Sequence, residues 1–71
     1  MDDGVYEAMV VDAVDRPDGF VMLDLVVTAG ALKGEVVSVA ASGPGLDAVD
    51  VLGLPARLTV TDGRPHVDLE P

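Results

Sequence analysis

Asp62-Gly63 sits between two runs of alternating character, in which Leu58, Val60, Val67 and Leu69 interleave with Arg57, Thr59, His66 and Asp68. Asp-Gly tolerates the positive φ angles of a type I′ turn, and period two puts one apolar face on a core. Ala56 to Glu70 therefore predicts a two-residue β-hairpin. With Asp62 and Gly63 as the loop, Thr61 faces Arg64, Leu58 faces Val67 and Arg57 faces Asp68. Apolar side chains meet apolar ones and a cation meets a carboxylate, so the register supports itself. Pro65 has no N–H to give a ladder, which assigns its position to a sheet edge or a strand end.

Upstream of the hairpin the chain reads as further strands. Val5 to Val14 is rich in β-branched residues and nearly continuous in apolar character, so Tyr6, Ala8 and Val10 compete with Val5, Met9 and Val11 for the buried face. Such a strand is covered on both sides, or it curves and changes its buried face along the way. Proline and glycine in Asp15-Arg16-Pro17-Asp18-Gly19 break it. In Phe20 to Thr28, Val21, Leu23, Leu25 and Val27 share one face. Phe20, Met22, Asp24 and Val26 share the other, which Asp24 marks as the outer one. Glu35 to Ala41 is a third strand, with Val37 and Val39 inward and Ser38 outward. Leu46 to Leu52 spaces Leu46, Val49 and Leu52 as one side of a short helix, ended by Gly53 and kept from resuming by Pro55.

The order is strand, strand, strand, short helix, strand, strand, within one domain of 71 residues. An all-β chain of this order resembles the OB-fold, a five-stranded Greek-key barrel whose helix lies between strands 3 and 4. The stretch Thr28-Ala29-Gly30-Ala31-Leu32-Lys33-Gly34-Glu35 is also similar to the crossing between strands two and three in phage-type single-strand DNA-binding OB proteins. There a "Thr-x-Gly-x-x-x-Gly-basic" pattern recurs, and Glu35 stands here where they carry the basic residue. An SH3-like barrel is the structural rival, and the long connection between the third and fourth strands favours the OB reading. The echo of Leu25 to Gly30 in Leu58 to Gly63 is what β chemistry alone produces.

Composition bounds the function. Formal net charge is −9, with thirteen acids against Arg16, Lys33, Arg57 and Arg64. So acidic a surface repels phosphate backbones and anionic lipid, and it lacks the basic stripe of nucleic-acid binders. Acidity that keeps a small barrel soluble, or that follows a proteome-wide habit, competes with acidity meant for a basic partner. Cysteine is absent, which removes disulfides and thiolate metal sites and suits a reducing compartment. Met1-Asp2-Asp3-Gly4 has no signal-peptide character, and no apolar run reaches the roughly 20 residues of a membrane helix. The expectation is a soluble, cytoplasmic protein.

Candidate chemistry is sparse. Asp12, Asp15 and Asp18 before Gly19 lack the alternate spacing and terminal Glu of a calcium loop, so they read as a carboxylate-rich turn without metal. His66 lies outward, with Asp68 on its face and Thr59 opposite, and reads as a solvated strand residue rather than a general base. Gly43-Pro44-Gly45 precedes a helix start, but Pro44 has no donor and Asp47 already supplies negative charge there. Catalysis and cofactors are not expected.

The remaining candidate is a binding surface. Phe20, Met22 and Val26 form an apolar set on the outer face of the second strand, with Arg16, Lys33 and Arg64 in loops around it. An apolar patch with polar neighbours suits a protein interface, with another protein or with a second copy as partner. The OB resemblance implies the alternative, single-stranded nucleic acid stacked on Phe20 above those three cations. The many surrounding carboxylates count against it.

Overall fold

The computed structural model describes residues 1–43 and 46–70. Five strands and one short helix follow in the order β1 (Gly4–Asp15), β2 (Val21–Val27), β3 (Val36–Ala41), α1 (Ala48–Val51), β4 (Pro55–Thr61) and β5 (Arg64–Leu69). All pairings are antiparallel, and the sheet order is β3-β2-β1-β4-β5. The first three strands form a meander, and the chain then returns through α1 to lay β4 on the other side of β1, a Greek-key connection. The two edge strands, β3 and β5, come into contact, so the sheet is curled into a half-barrel. Among the described residues β3 and β5 do not pair in a ladder.

That open seam has a local cause. Glu70 donates its N–H to the Pro55 carbonyl at 2.8 Å, which makes Arg57–Asp68, Thr59–His66 and Thr61–Arg64 the hydrogen-bonded pairs of this ladder. Pro65 then occupies a position whose amide would point away from β4, and it has none to offer. Placed on an edge strand, this proline blunts the edge that faces β3.

The closing hairpin has the expected register, from Thr61 opposite Arg64 to Arg57 opposite Asp68. Asp62 (φ 52°) and Gly63 (φ 75°) both have positive φ, as a type I′ turn requires. The long first strand does change its buried face, and a β-bulge is the device. Val10 pairs with Leu25 but Asp12 pairs with Asp24, leaving Val11 as the extra residue. Before the bulge Ala8 and Val10 are buried; after it Ala13 packs on the core while Asp12 and Val14 point out.

Leu23, Leu25 and Leu58 are fully enclosed at the centre of the core, with Val10, Val39, Val60 and Val51 around them. The helix is shorter than its spacing predicts and buries a different side. Asp47 is the N-cap, its carboxylate accepting from the Val49 N–H at 3.3 Å, so the helix begins only at Ala48. Ala48 and Val51 are buried and Leu46 is partly covered, while Val49 is 76% exposed and Leu52 is also exposed. Four residues complete one turn, too few for a 3.6-residue period to select the predicted face. Gly53 follows at φ 80° and donates to the Val10 carbonyl at 2.9 Å, tying the helix end to β1 beside the bulge.

Candidate interaction surface

The outer side of the β1–β2–β3 meander carries three cross-strand rows. Met9, Val26 and Val36 form one; Asp12, Asp24 and Ser38 the next; Val14, Met22 and Ala40 the third. Period two on β2 sends Val21, Leu23, Leu25 and Val27 inward, so Met22, Asp24 and Val26 must stand on the opposite side. Those three are half-buried by their strand neighbours, whereas Met9 (38%), Val14 (56%) and Val36 (60%) are exposed. In the middle row Ser38 donates its hydroxyl to Asp24 Oδ1, and Asp12 lies directly opposite Asp24 across the ladder. Neither β1, β2 nor β3 contains a lysine or arginine.

The structure brings Met22 and Val26 together on this face and sets Phe20 apart. The β2 ladder starts at Val21, and Phe20 closes the preceding turn, where its carbonyl accepts from the Arg16 N–H at 2.8 Å and its own N–H donates to Asp18 Oδ1 at 3.1 Å. The exposed Phe20 ring borders a recess of about 240 Å³ at the β3–β5 seam, with Ala40, Ser42, Pro65 and His66. Met9, Val14 and Val36 complete the face that Met22 and Val26 begin. The bulge hides the membership of Met9 and Val14, which it places on one side although they are five positions apart, an odd number.

The three loop cations do not ring this surface. Arg16 precedes β2 and Lys33 follows it, so the seven residues of β2, about 20 Å of strand, lie between them. Arg16 pairs with Asp18 at 3.4 Å across an exposed turn, and Arg64 is on β5, which pairs with β4 and with no strand of the meander. Arg57 does not pair with Asp68 opposite it. Its guanidinium reaches the diagonal Glu70 at 3.6 Å, while Asp68 sits 3.8 Å from His66. All four of those side chains are largely solvated, so His66 has the setting of a surface residue.

Asp12, Asp15 and Asp18 each accept a backbone N–H: Asp12 from Ala13 at 2.9 Å, Asp15 from Ala48 at 3.4 Å, and Asp18 from Phe20. Among the described residues no group of three or more His, Cys, Asp or Glu side chains could hold a metal ion. Of the Gly43-Pro44-Gly45 segment, Pro44 and Gly45 lie outside the described residues. Asp3 has a structural task not visible in the pattern. Its carboxylate accepts both hairpin-turn amides, Asp62 N–H at 2.9 Å and Gly63 N–H at 3.1 Å, and these bonds hold its pKa below the usual carboxylate value.

An open groove of about 460 Å³ lies at the start of β1, lined by residues that include Val5, Tyr6, Glu7, Ala29 and Leu32. Among the described residues no helix is long and apolar enough to cross a membrane. Comparison with family models, with characterised proteins and with solved structures finds no match for this chain.

Proposed function

We propose that this protein is a non-enzymatic, acidic binding module of OB-like architecture that works in the cytoplasm through protein–protein contact. Support for the OB-like reading comes from the strand order: β1 is shared between the β1–β2–β3 meander and the β4–β5 hairpin, and the helix falls between β3 and β4. The observation that carries the role is the outer face of the meander. Two apolar rows three strands wide, exposed at Met9, Val14 and Val36, flank a polar row, and an exposed apolar patch with polar neighbours suits a protein interface. The solvated setting of His66 and Asp68 supports a role without catalysis.

The dispersed cations favour a protein partner over single-stranded nucleic acid, because a phosphate backbone needs a continuous basic track beneath its stacked bases. The test is site-specific photocrosslinking in the cell from position 36, with position 59 on β4 as the control. Protein adducts from position 36 that vanish with Met22→Asp support the reading. Nucleic-acid adducts, or micromolar binding of oligo-dT that weakens steeply as salt rises, would overturn it.

A further inference from the structure

The middle row of the outer face breaks a rule that its neighbours obey. Asp12 and Asp24 stand directly opposite each other on paired strands, where like charges are unfavourable, and β1, β2 and β3 supply no cation to separate them. Ser38 holds the Asp24 carboxylate from one side by donating its hydroxyl. Apolar rows flank this pair on both sides, each two residues away along β2 and β3, or about 6.7 Å. A local conflict left standing on an otherwise apolar surface is where function is to be sought.

We infer that the outer face receives an amphipathic helix of a partner protein that presents one lysine or arginine between two apolar side chains. The cation lies over Asp12 and Asp24, and the apolar groups lie on the Val26 and Met22 rows. This inference rests on the reading of the face as the protein's contact surface and adds the chemistry of what it contacts.

Three observations select that occupant. Backbone groups beneath the face are already spent in the β1–β2 and β2–β3 ladders, so an extended peptide lying flat on it would leave its own amides unpaired. A helix satisfies its own, and residues four apart along it are spaced by about 6 Å, close to the row spacing. A second copy of this chain fits poorly. Each copy carries −9, and face-to-face docking would bring two more carboxylates against Asp12 and Asp24 with no cation from either β1–β2–β3 meander. Phosphate-bearing ligands meet the same repulsion.

The test is a chemical-shift titration of the isotope-labelled full chain with two synthetic helical peptides. Both carry leucine four residues either side of a central position that is arginine in one and glutamine in the other. The arginine peptide is expected to shift Met9, Asp12, Met22, Asp24, Val26 and Val36, and to bind at least about tenfold more tightly than the glutamine peptide. Asp12→Asn with Asp24→Asn should bring the two peptides to within about twofold of each other. Should the double variant lose its native amide dispersion, Asp12→Asn alone serves, because an asparagine oxygen keeps the bond from the Ala13 N–H.

Equal affinity of the two peptides at this face would overturn the cation assignment while leaving the contact surface intact. No shift of the face by either peptide would remove the surface itself. Shifts of these residues that grow with protein concentration alone would make a second copy the occupant and overturn the inference.

Discussion

Leu25 and Val26 are neighbours in β2 with opposite fates, and truncating each to alanine separates core from contact surface. Leu25 has no exposed area and lies among Leu23, Val10 and Val37 in the central cluster. Leu25→Ala removes three carbons from a packed interior, a loss of about 2.7–5 kcal/mol once the cavity is included. Val26 stands on the outer face, half-buried between Met9 and Val36. Val26→Ala removes two methyl groups that were about half covered, at about 0.8 kcal/mol per fully buried group, so its cost is close to 0.8 kcal/mol. A chain of this length has a total stability of about 4–11 kcal/mol, so the first change consumes a large share and the second little. Urea unfolding followed by circular dichroism reads both. With a slope near 1 kcal/mol/M, Leu25→Ala should move the midpoint by about 3 M and Val26→Ala by less than about 1 M. Equal losses would mean that Val26 is packed as a core residue is. The outer face would then be sealed, and the binding role built on it would fall.

Asp3 couples the chain start to the hairpin turn in a pH-dependent way. Its folded pKa is depressed by the Asp62 and Gly63 amides, so the clamp is fully present above the unfolded value of 3.8 and is lost as pH falls through the lower, folded value. The Asp62 and Gly63 amide shifts should therefore titrate below pH 3.8 and stop titrating in Asp3→Asn; a midpoint above the ordinary value would refute the clamp. Gly53→Ala has open space for its Cβ but must hold φ 80°, and should destabilise by about 1 kcal/mol in thermal unfolding. Asp47→Ala should cost about 0.5–2 kcal/mol and speed amide exchange at Val49. Unchanged exchange there would show that the cap does not hold the helix.

What could be read from the sequence was whatever local chemistry decides. Asp62-Gly63 and its flanking alternation give the hairpin and its register because turn type and period two act over a few residues. The same holds for β2, where Leu23 and Leu25 face in and Met22 and Val26 face out. The bulge at Val11 was not legible in detail, because valines on both sides of the strand give no preference for either face. Parity places Phe20 with Met22 and Val26, but the turn hydrogen bonds to Arg16 and Asp18 take it out of the ladder. The ion pair of Arg57 went to the diagonal Glu70, within reach of a long side chain on a twisted sheet, rather than to Asp68 opposite. Asp3 capping a turn 59 residues away is a purely tertiary contact, with no local signal to announce it.

The opposition of Asp12 and Asp24 has a consequence for stability that needs no ligand. Carboxylates on directly opposed residues stand about 6 Å apart, which in water corresponds to a repulsion of about 0.7 kcal/mol. Asp12→Asn removes one of the two charges while its side-chain oxygen can still accept from the Ala13 N–H. This variant should therefore be more stable than the parent by up to about 0.7 kcal/mol at low ionic strength. The gain should shrink as salt is added, since the screening length falls from about 30 Å at 0.01 M to about 3 Å at 1 M. Asp50→Asn, on the short helix, lowers the net charge equally without touching this row and controls for the general relief of a −9 chain. Paired urea titrations of the parent and both variants at the two salt concentrations decide the matter. If Asp12→Asn gains no more than Asp50→Asn, or its gain persists at 1 M salt, the two carboxylates do not repel each other across the ladder, and nothing at the centre of the outer face calls for a cation.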